Sequence, residues 1–188
     1  MKDQLHSPDE IGQQIWKELA RACVDRHHEW RTPVLATTGP EGEANARTVV
    51  LRTANANSRM LEIYTDSRSA KVAELASHPH AMLVFWSTRL KWQLRVRAST
   101  AVLTEGPHVQ AVWQRVKLSA SAGDYVSTTV PGAALQTNSD ALAANASDPR
   151  SYFSILQAQV TEIDWLELAR TGHRRAKLKG DGWSWLTP

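Results

Sequence analysis

From Lys91 to Arg97 the chain alternates without a break. Lys91, Gln93, Arg95 and Arg97 fall on one parity, and Trp92, Leu94 and Val96 on the other. Side chains on a strand point to opposite faces in turn, so this period of two predicts a β-strand with one apolar and one cationic face. The apolar face needs a core. The cationic face, with its glutamine, fits an exposed barrel surface, a polar ligand pocket or a subunit interface.

The surrounding sequence multiplies such strands. Val34–Thr38, Ala44–Thr53, Leu61–Thr65, Ala81–Trp86 and Trp92–Leu103 all read as strands. Between them, Gly39-Pro40-Glu41-Gly42 is a turn, with two glycines for unusual backbone angles, and Asn55-Ala56-Asn57-Ser58 a loop. One short helix, from about Ser69 to Ser77, is inserted and stops at His78-Pro79. Short turns between antiparallel strands predict a mainly β fold with peripheral helices, an antiparallel barrel rather than a doubly wound sheet. Ahead of it lies a helix over 7–31. Ser7 is its N-cap, Pro8 its first residue, and Glu10 completes a capping box. Ile11, Ile15, Leu19, Ala22 and Cys23 form its apolar stripe. His27 and His28 suit the helix C-terminus electrostatically and are not a metal pair, because adjacent helical residues do not face one point.

Beyond the barrel, Thr104–Val116 reads as a helix and 118–139 as a lid or loose loop. Ala141–Ala146 reads as a helical turn. Strands over Tyr152–Trp165, Arg175–Leu178 and Trp183–Leu186 form a C-terminal segment, 152–188, of one domain spanning 1–188.

Several function classes are excluded. The net charge of +3 does not demand nucleic acid. The longest apolar run, Ala81–Trp86, is far too short to span a bilayer, and the N-terminus has no apolar signal core. These features predict a cytoplasmic protein without membrane contact. The single cysteine, Cys23, rules out a multi-thiolate metal site within one chain and reads as a buried structural thiol. No metal is expected. Neither a Gly-x-Gly-x-x-Gly nor a Walker sequence is present.

Cations woven into strands need a partner, since an unpaired buried charge is costly. Arg47-Thr48-Val49-Val50-Leu51-Arg52 puts arginines on opposite faces of one strand. Tyr64-Thr65 leads into Ser67-Arg68-Ser69-Ala70-Lys71, where two hydroxyls, Arg68 and Lys71 meet a helix N-terminus and form a phosphate cradle. Gln93 donates and accepts at once, which suits the edge of a pyrimidine-like ring. Taken singly, each block also fits a solvated strand or an ordinary capped helix. Together they point to a phosphate-bearing cofactor with a flat, hydrogen-bonding ring.

In order and spacing these blocks resemble the pyridoxamine 5′-phosphate oxidase family of split barrels that bind flavin mononucleotide (FMN). The resemblance covers Thr32 to Val102 well and Tyr152 to Pro188 in outline. It implies cofactor contacts from Arg47, Thr48, Val49, Val50, Leu51, Arg52, Tyr64, Thr65, Ser69, Lys71 and Gln93. The tail signature implies further contacts from Trp165 and Arg175, with Arg174 as the catalytic, substrate-facing cation. It also implies a homodimer with FMN at the subunit interface, and an FMN-dependent oxidoreductase acting on a small molecule. The alternative is a non-catalytic module holding flavin, deazaflavin or haem on the same barrel. The chain departs from the family in its vitamin-binding half. Arg52 replaces a lysine that meets the substrate phosphate. Trp113 and Arg115 stand out of register with a tyrosine–arginine pair, and Thr129-Val130 replace a glutamine–serine pair. Arg174-Arg175-Ala176-Lys177 lack the second histidine. The resemblance therefore implies a related oxidoreductase with a different substrate.

Overall fold

A computed structural model describes residues 7–119, 121–127, 129–134, 152–180 and 182–188. The helical turn expected at Ala141–Ala146 lies outside the described residues. Helix α1 (Pro8–Val24) begins with the expected reciprocal cap: Ser7 Oγ accepts from Glu10 N–H at 3.2 Å, and Glu10 accepts from Ser7 N–H at 3.1 Å. It is shorter than 7–31. The Asp25 carboxylate accepts from His27 N–H at 2.9 Å, and Asp25 takes an extended conformation that ends the helix. A 3-10 turn, Glu29–Arg31, then drives Trp30 fully into the core. His28 lies beyond the end of α1. Its Nδ1 accepts from Trp30 N–H at 3.1 Å and its Nε2 lies 2.8 Å from Glu18.

The strands are β1 (Val34–Thr38), β2 (Ala44–Thr48), β3 (Leu51–Asn55), β4 (Met60–Asp66), β5 (His80–Ser87), β6 (Trp92–Leu103), β7 (Phe153–Glu167), β8 (Arg174–Lys179) and β9 (Gly182–Leu186). Helices α2 (Ala70–Ser77) and α3 (Pro107–Val116) connect them. Every strand pair is antiparallel.

The expected single strand over Ala44–Thr53 is two strands at opposite ends of the sheet. The strand order is β2-β1-β5-β6-β7-β4-β3. Laid flat, its outer strands would lie about 29 Å apart at the usual strand spacing. Only Val49 and Val50 join them, and that link reaches about 10 Å. The sheet must therefore curl until its two edges approach, which makes a barrel with an unpaired seam. Val49 N–H donates to Pro33 O at 3.0 Å, one last rung in the β1–β2 register before the chain crosses to the other edge.

Strand β7 forms the other division. Along one edge it pairs with β6. Along the other it pairs first with β4, through Phe153–Gln159, and then with β8, through Glu162–Glu167. The change occurs at a bulge where Thr161 Oγ1 donates to Arg97 O at 3.2 Å.

Two apolar clusters result. Inside the barrel, Leu35, Leu51, Leu61, Ile63, Leu83, Phe85, Leu94 and Ile163 are almost fully buried, and Ile11, Ile15 and Leu19 of α1 join the same cluster. Burying each such side chain contributes about 1.5–3 kcal/mol. On the outer side of β4 and β7, α3 and the 3-10 turn Ala122–Tyr125 cover Phe153 and Ile155 with Val109, Val112 and Tyr125. That turn lies within the stretch expected as lid or loop. Cys23 is half-buried, and loss of hydration pushes its thiol up to about 11, as an inert structural thiol requires.

Candidate functional site

Strand β4 ends and α2 begins within a few residues, and this corner gathers one cluster. Asp66 O accepts from Ser69 Oγ at 2.8 Å, which turns Ser69 back toward the strand. Ser69 occupies the N-cap position but its side chain caps nothing. Its Oγ lies 3.2 Å from Thr65 Oγ1 instead. Lys71 reaches over the pair, with Nζ donating to Ser69 Oγ at 3.0 Å and to Thr65 Oγ1 at 3.1 Å.

Lys71 is half-buried, and those hydroxyls are its hydrogen-bond partners. Loss of hydration lowers its pKa and the nearby Arg47 charge lowers it further, against the weaker opposing pull of the Asp66 and Glu74 charges, neither of which it hydrogen-bonds. Arg47 comes from β2, its Nη2 2.8 Å from Glu74 on α2, and its Nη1 donates to Thr37. Two cations from different elements thus face one corner, beside two hydroxyls at a helix start. Such an arrangement can offer charge-assisted hydrogen bonds to an anion.

Arg68 is not part of this cradle. Its guanidinium holds Asp66 through Nε at 3.0 Å and Nη2 at 2.6 Å, and lies 3.4 Å from the centroid of the Tyr152 ring. Asp66 is nearly buried and one residue from the turn, so Arg68 neutralises it locally.

Within the second block, Thr48 is exposed, Val50 is half-buried, and Val49 and Leu51 belong to the barrel core. Any contact these four make with a ligand would come mainly from backbone groups, and the Val49 N–H is already used. Arg52 projects to the face opposite Leu51. Its guanidinium lies 5.3 Å from the Tyr64 ring centroid, and its Nε is buried without a partner. Burial raises the Tyr64 and Tyr125 phenols, while Arg52 and, at Tyr64, Arg115 act against that rise. Trp113 stacks on Phe153 at 5.4 Å in the same aromatic group. Val130 is exposed, and Thr129 N–H bonds only locally, to Ser127.

Gln93 and Arg175 lie on the outer face of the sheet, in one row with Leu166 between them. The alternation of β6 is as expected, with Trp92, Leu94, Val96 and Ala98 buried and Arg97 exposed, but Lys91 sits in the turn before the strand, with φ 59°. The tail cations, however, are already paired. Arg175 grips Asp164 through Nε at 3.0 Å and Nη2 at 2.7 Å, and Arg95 joins the same carboxylate at 2.5 Å. Burial alone would raise the Asp164 pKa, but hydrogen bonds from Arg175 and Arg95 outweigh it and hold the carboxyl low. Arg174 binds Glu167 at 2.7 and 2.6 Å and lies 5.4 Å from the Trp165 ring. Trp165 is fully buried between Trp92 and Trp185.

Glu74 is the component that sequence reasoning missed. Its spacing after Lys71 was the available signal, since residues three apart share a helix face.

Residues 13–104 match the family model described as pyridoxamine 5′-phosphate oxidase, FMN-binding domain. A pyridoxine/pyridoxamine 5′-phosphate oxidase of Microcystis aeruginosa is 36% identical over 87 residues, which is 46% of this chain and 40% of that protein. One from Azorhizobium caulinodans is 41% identical over 71 residues, covering 38% and 32% of the two chains. The matched segment thus spans well under half the length of these relatives. Among solved structures, a pyridoxamine 5′-phosphate oxidase-related, FMN-binding protein of Nostoc punctiforme superposes with a TM-score of 0.74 at 23% identity, covering 98% of this chain and all of that one. PhzG of Burkholderia lata, solved with tetrahydrophenazine-1-carboxylic acid, gives 0.75 at 20% identity over 99% and 95% of the chains. At these identities the two structures establish a common fold.

Proposed function

We propose, for a chain that belongs to the pyridoxamine 5′-phosphate oxidase-like, FMN-binding family, that it holds FMN with the phosphate at the Lys71 corner and serves as an FMN-dependent oxidoreductase on a small molecule. One observation carries the reading. Among the described half-buried cations, Arg47, Arg68, Arg95, Arg174, Arg175 and Lys177 each reach a carboxylate. Arg31 and Arg59 reach backbone carbonyls, and Arg52, which also has no carboxylate, lies over the Tyr64 ring. Lys71 reaches hydroxyls alone. A desolvated cation held by neutral groups is poised for an anionic ligand.

The residues divide the work. Lys71, Ser69 and Thr65 hold the phosphate, with Arg47 as a second charge. Gln93 and Arg175 offer a hydrogen-bonding edge on the outer face of the sheet. That face also exposes Val34 and Trp86, 40% and 43% accessible. A second copy covering this apolar patch would enclose the ring, so the working unit is a homodimer. FMN, when bound, supplies the hydride or electron transfer. Arg52 lacks a carboxylate partner and sits in an aromatic setting, which suits an anionic group on a flat substrate.

The non-catalytic reading has a specific observation in its favour. Arg174, the residue expected to face substrate, is bound to Glu167 through two nitrogens. Purified protein separates the possibilities. A flavin spectrum that bleaches with NADH or NADPH and returns with oxygen supports the oxidoreductase. Bound flavin inert to every donor supports the module. A colourless protein that gains no flavin spectrum with added FMN sinks both, and a monomer in sedimentation at micromolar concentration removes the shared site.

A further inference from the structure

Two like charges brought together repel, and Lys71 and Arg47 stay together here. The reason lies one turn along α2. Glu74 is 8% exposed and gathers three donors from two strands. Thr37 Oγ1 of β1 donates to Oε2 at 2.5 Å, Arg47 Nη2 of β2 donates to the same oxygen at 2.8 Å, and Asn45 Nδ2 of β2 donates to Oε1 at 3.0 Å. Arg47 Nη1 closes the triangle by donating to Thr37. The guanidinium is thus fixed through both terminal nitrogens, which leaves the rest of its N–H fork for another acceptor. Burial pushes the Glu74 carboxyl up, but the hydrogen bonds from Thr37 and Arg47 outweigh it and keep it ionised.

Resting on the FMN reading, we propose that Glu74 is a positioning residue for the cofactor phosphate. It tethers Arg47 to α2 and to β1, against repulsion from Lys71. One phosphate can then meet both cations without first ordering a long side chain. Pre-ordering of this kind strengthens binding by removing an entropic cost. Glu74 acts through Arg47 and touches no ligand itself.

The test compares FMN with riboflavin, which lacks the phosphate, by quenching of flavin fluorescence on full-length protein. In Glu74→Gln, FMN affinity is expected to fall about tenfold, the scale of one charge-assisted hydrogen bond, with riboflavin affinity unchanged. In an Arg47→Ala background the same substitution should add nothing. A general packing role would weaken riboflavin as well. Undiminished FMN affinity, an equal loss for riboflavin, or the same tenfold loss without Arg47 each overturns the proposal. If Glu74→Gln does not fold, Thr37→Val removes the shared hydroxyl, and its FMN-selective loss serves instead. Thermal shift with inorganic phosphate separates the two readings. Wild-type protein that ignores FMN but gains Glu74-dependent stability from phosphate keeps the tether and discards the flavin. Protein indifferent to both ligands discards the two together.

Discussion

The corner at the start of α2 and the tail hairpin β8–β9 carry similar numbers of cations and treat them in opposite ways. In the tail, three of the four hairpin cations meet a carboxylate of the neighbouring strand, and the fourth, Lys179, is exposed. Arg175 and Arg95 share Asp164, Arg174 takes Glu167, and Lys177 lies 3.3 Å from Glu162. At the corner, Arg47 has Glu74 but Lys71 has only hydroxyls. A region that neutralises its own charge is finished as a structure. A region left with surplus positive charge is finished only by a ligand. Counting cations therefore points to both regions, whereas counting their partners points to one.

The largest effect should come from removing that surplus. Arg47→Ala with Lys71→Ala is expected to weaken FMN about a thousandfold, two charge-assisted bonds of about 2 kcal/mol each. Thermal unfolding of the protein without flavin should stay within a few degrees of wild type. Full flavin occupancy in the double variant would put the phosphate elsewhere.

Next, Asp164→Asn should break the tail's balance. Removing one partner of a fully buried pair costs about 3–5 kcal/mol. Arg95 and Arg175 keep 41% and 28% of their side chains in water, so the loss should be nearer about 1–2 kcal/mol. Urea unfolding reads it. An unchanged midpoint would make the two regions alike. Ser69→Ala should weaken FMN less than the double variant, by about tenfold, through one lost hydrogen bond. Equal loss of riboflavin would assign Ser69 to the turn instead.

The smallest effect is in pH. The folded Lys71 pKa is lowered, so its proton leaves before that of an ordinary lysine. FMN affinity should rise as the phosphate takes its second charge near about pH 6. It should fall again on the alkaline side, earlier than the usual lysine value of about 10.4. Lys71→Arg should shift that fall upward. The tail runs the other way. Asp164 has a depressed pKa, so its contribution is complete above the ordinary carboxylate value and is lost as pH falls through the folded one. Acid should therefore loosen the tail, and base should empty the corner.

Much of this was readable in the chain, for reasons that differ by residue. The parity of β6 is a direct image of a one-sided core, and Ser7-Pro8-Asp9-Glu10 is a local cap that needs no tertiary partner. The break at Val49-Val50 was not readable, because two β-branched residues favour continuing a strand. Nothing local announces that one half belongs to each edge of the sheet. Arg68 looked equivalent to Lys71 because both precede the same helix turn. Only the position of Asp66 and Tyr152 decides which of them is spent. Glu74 carries no local sign of the three donors that β1 and β2 supply. Charges declare themselves in sequence, but their partners are long-range.

The Val49-Val50 seam has a kinetic consequence. Arg47 stands on one side of it, tied to Glu74, and Arg52 on the other, over the Tyr64 ring, and the two edges approach only after all the intervening strands have paired. Those pairings join residues far apart in the chain, so closure waits on slow, non-local contacts. A ligand that spans the seam would then act as a latch. Its departure and the opening of the barrel would report the same barrier, and flavin release would track the unfolding rate more closely than the equilibrium affinity.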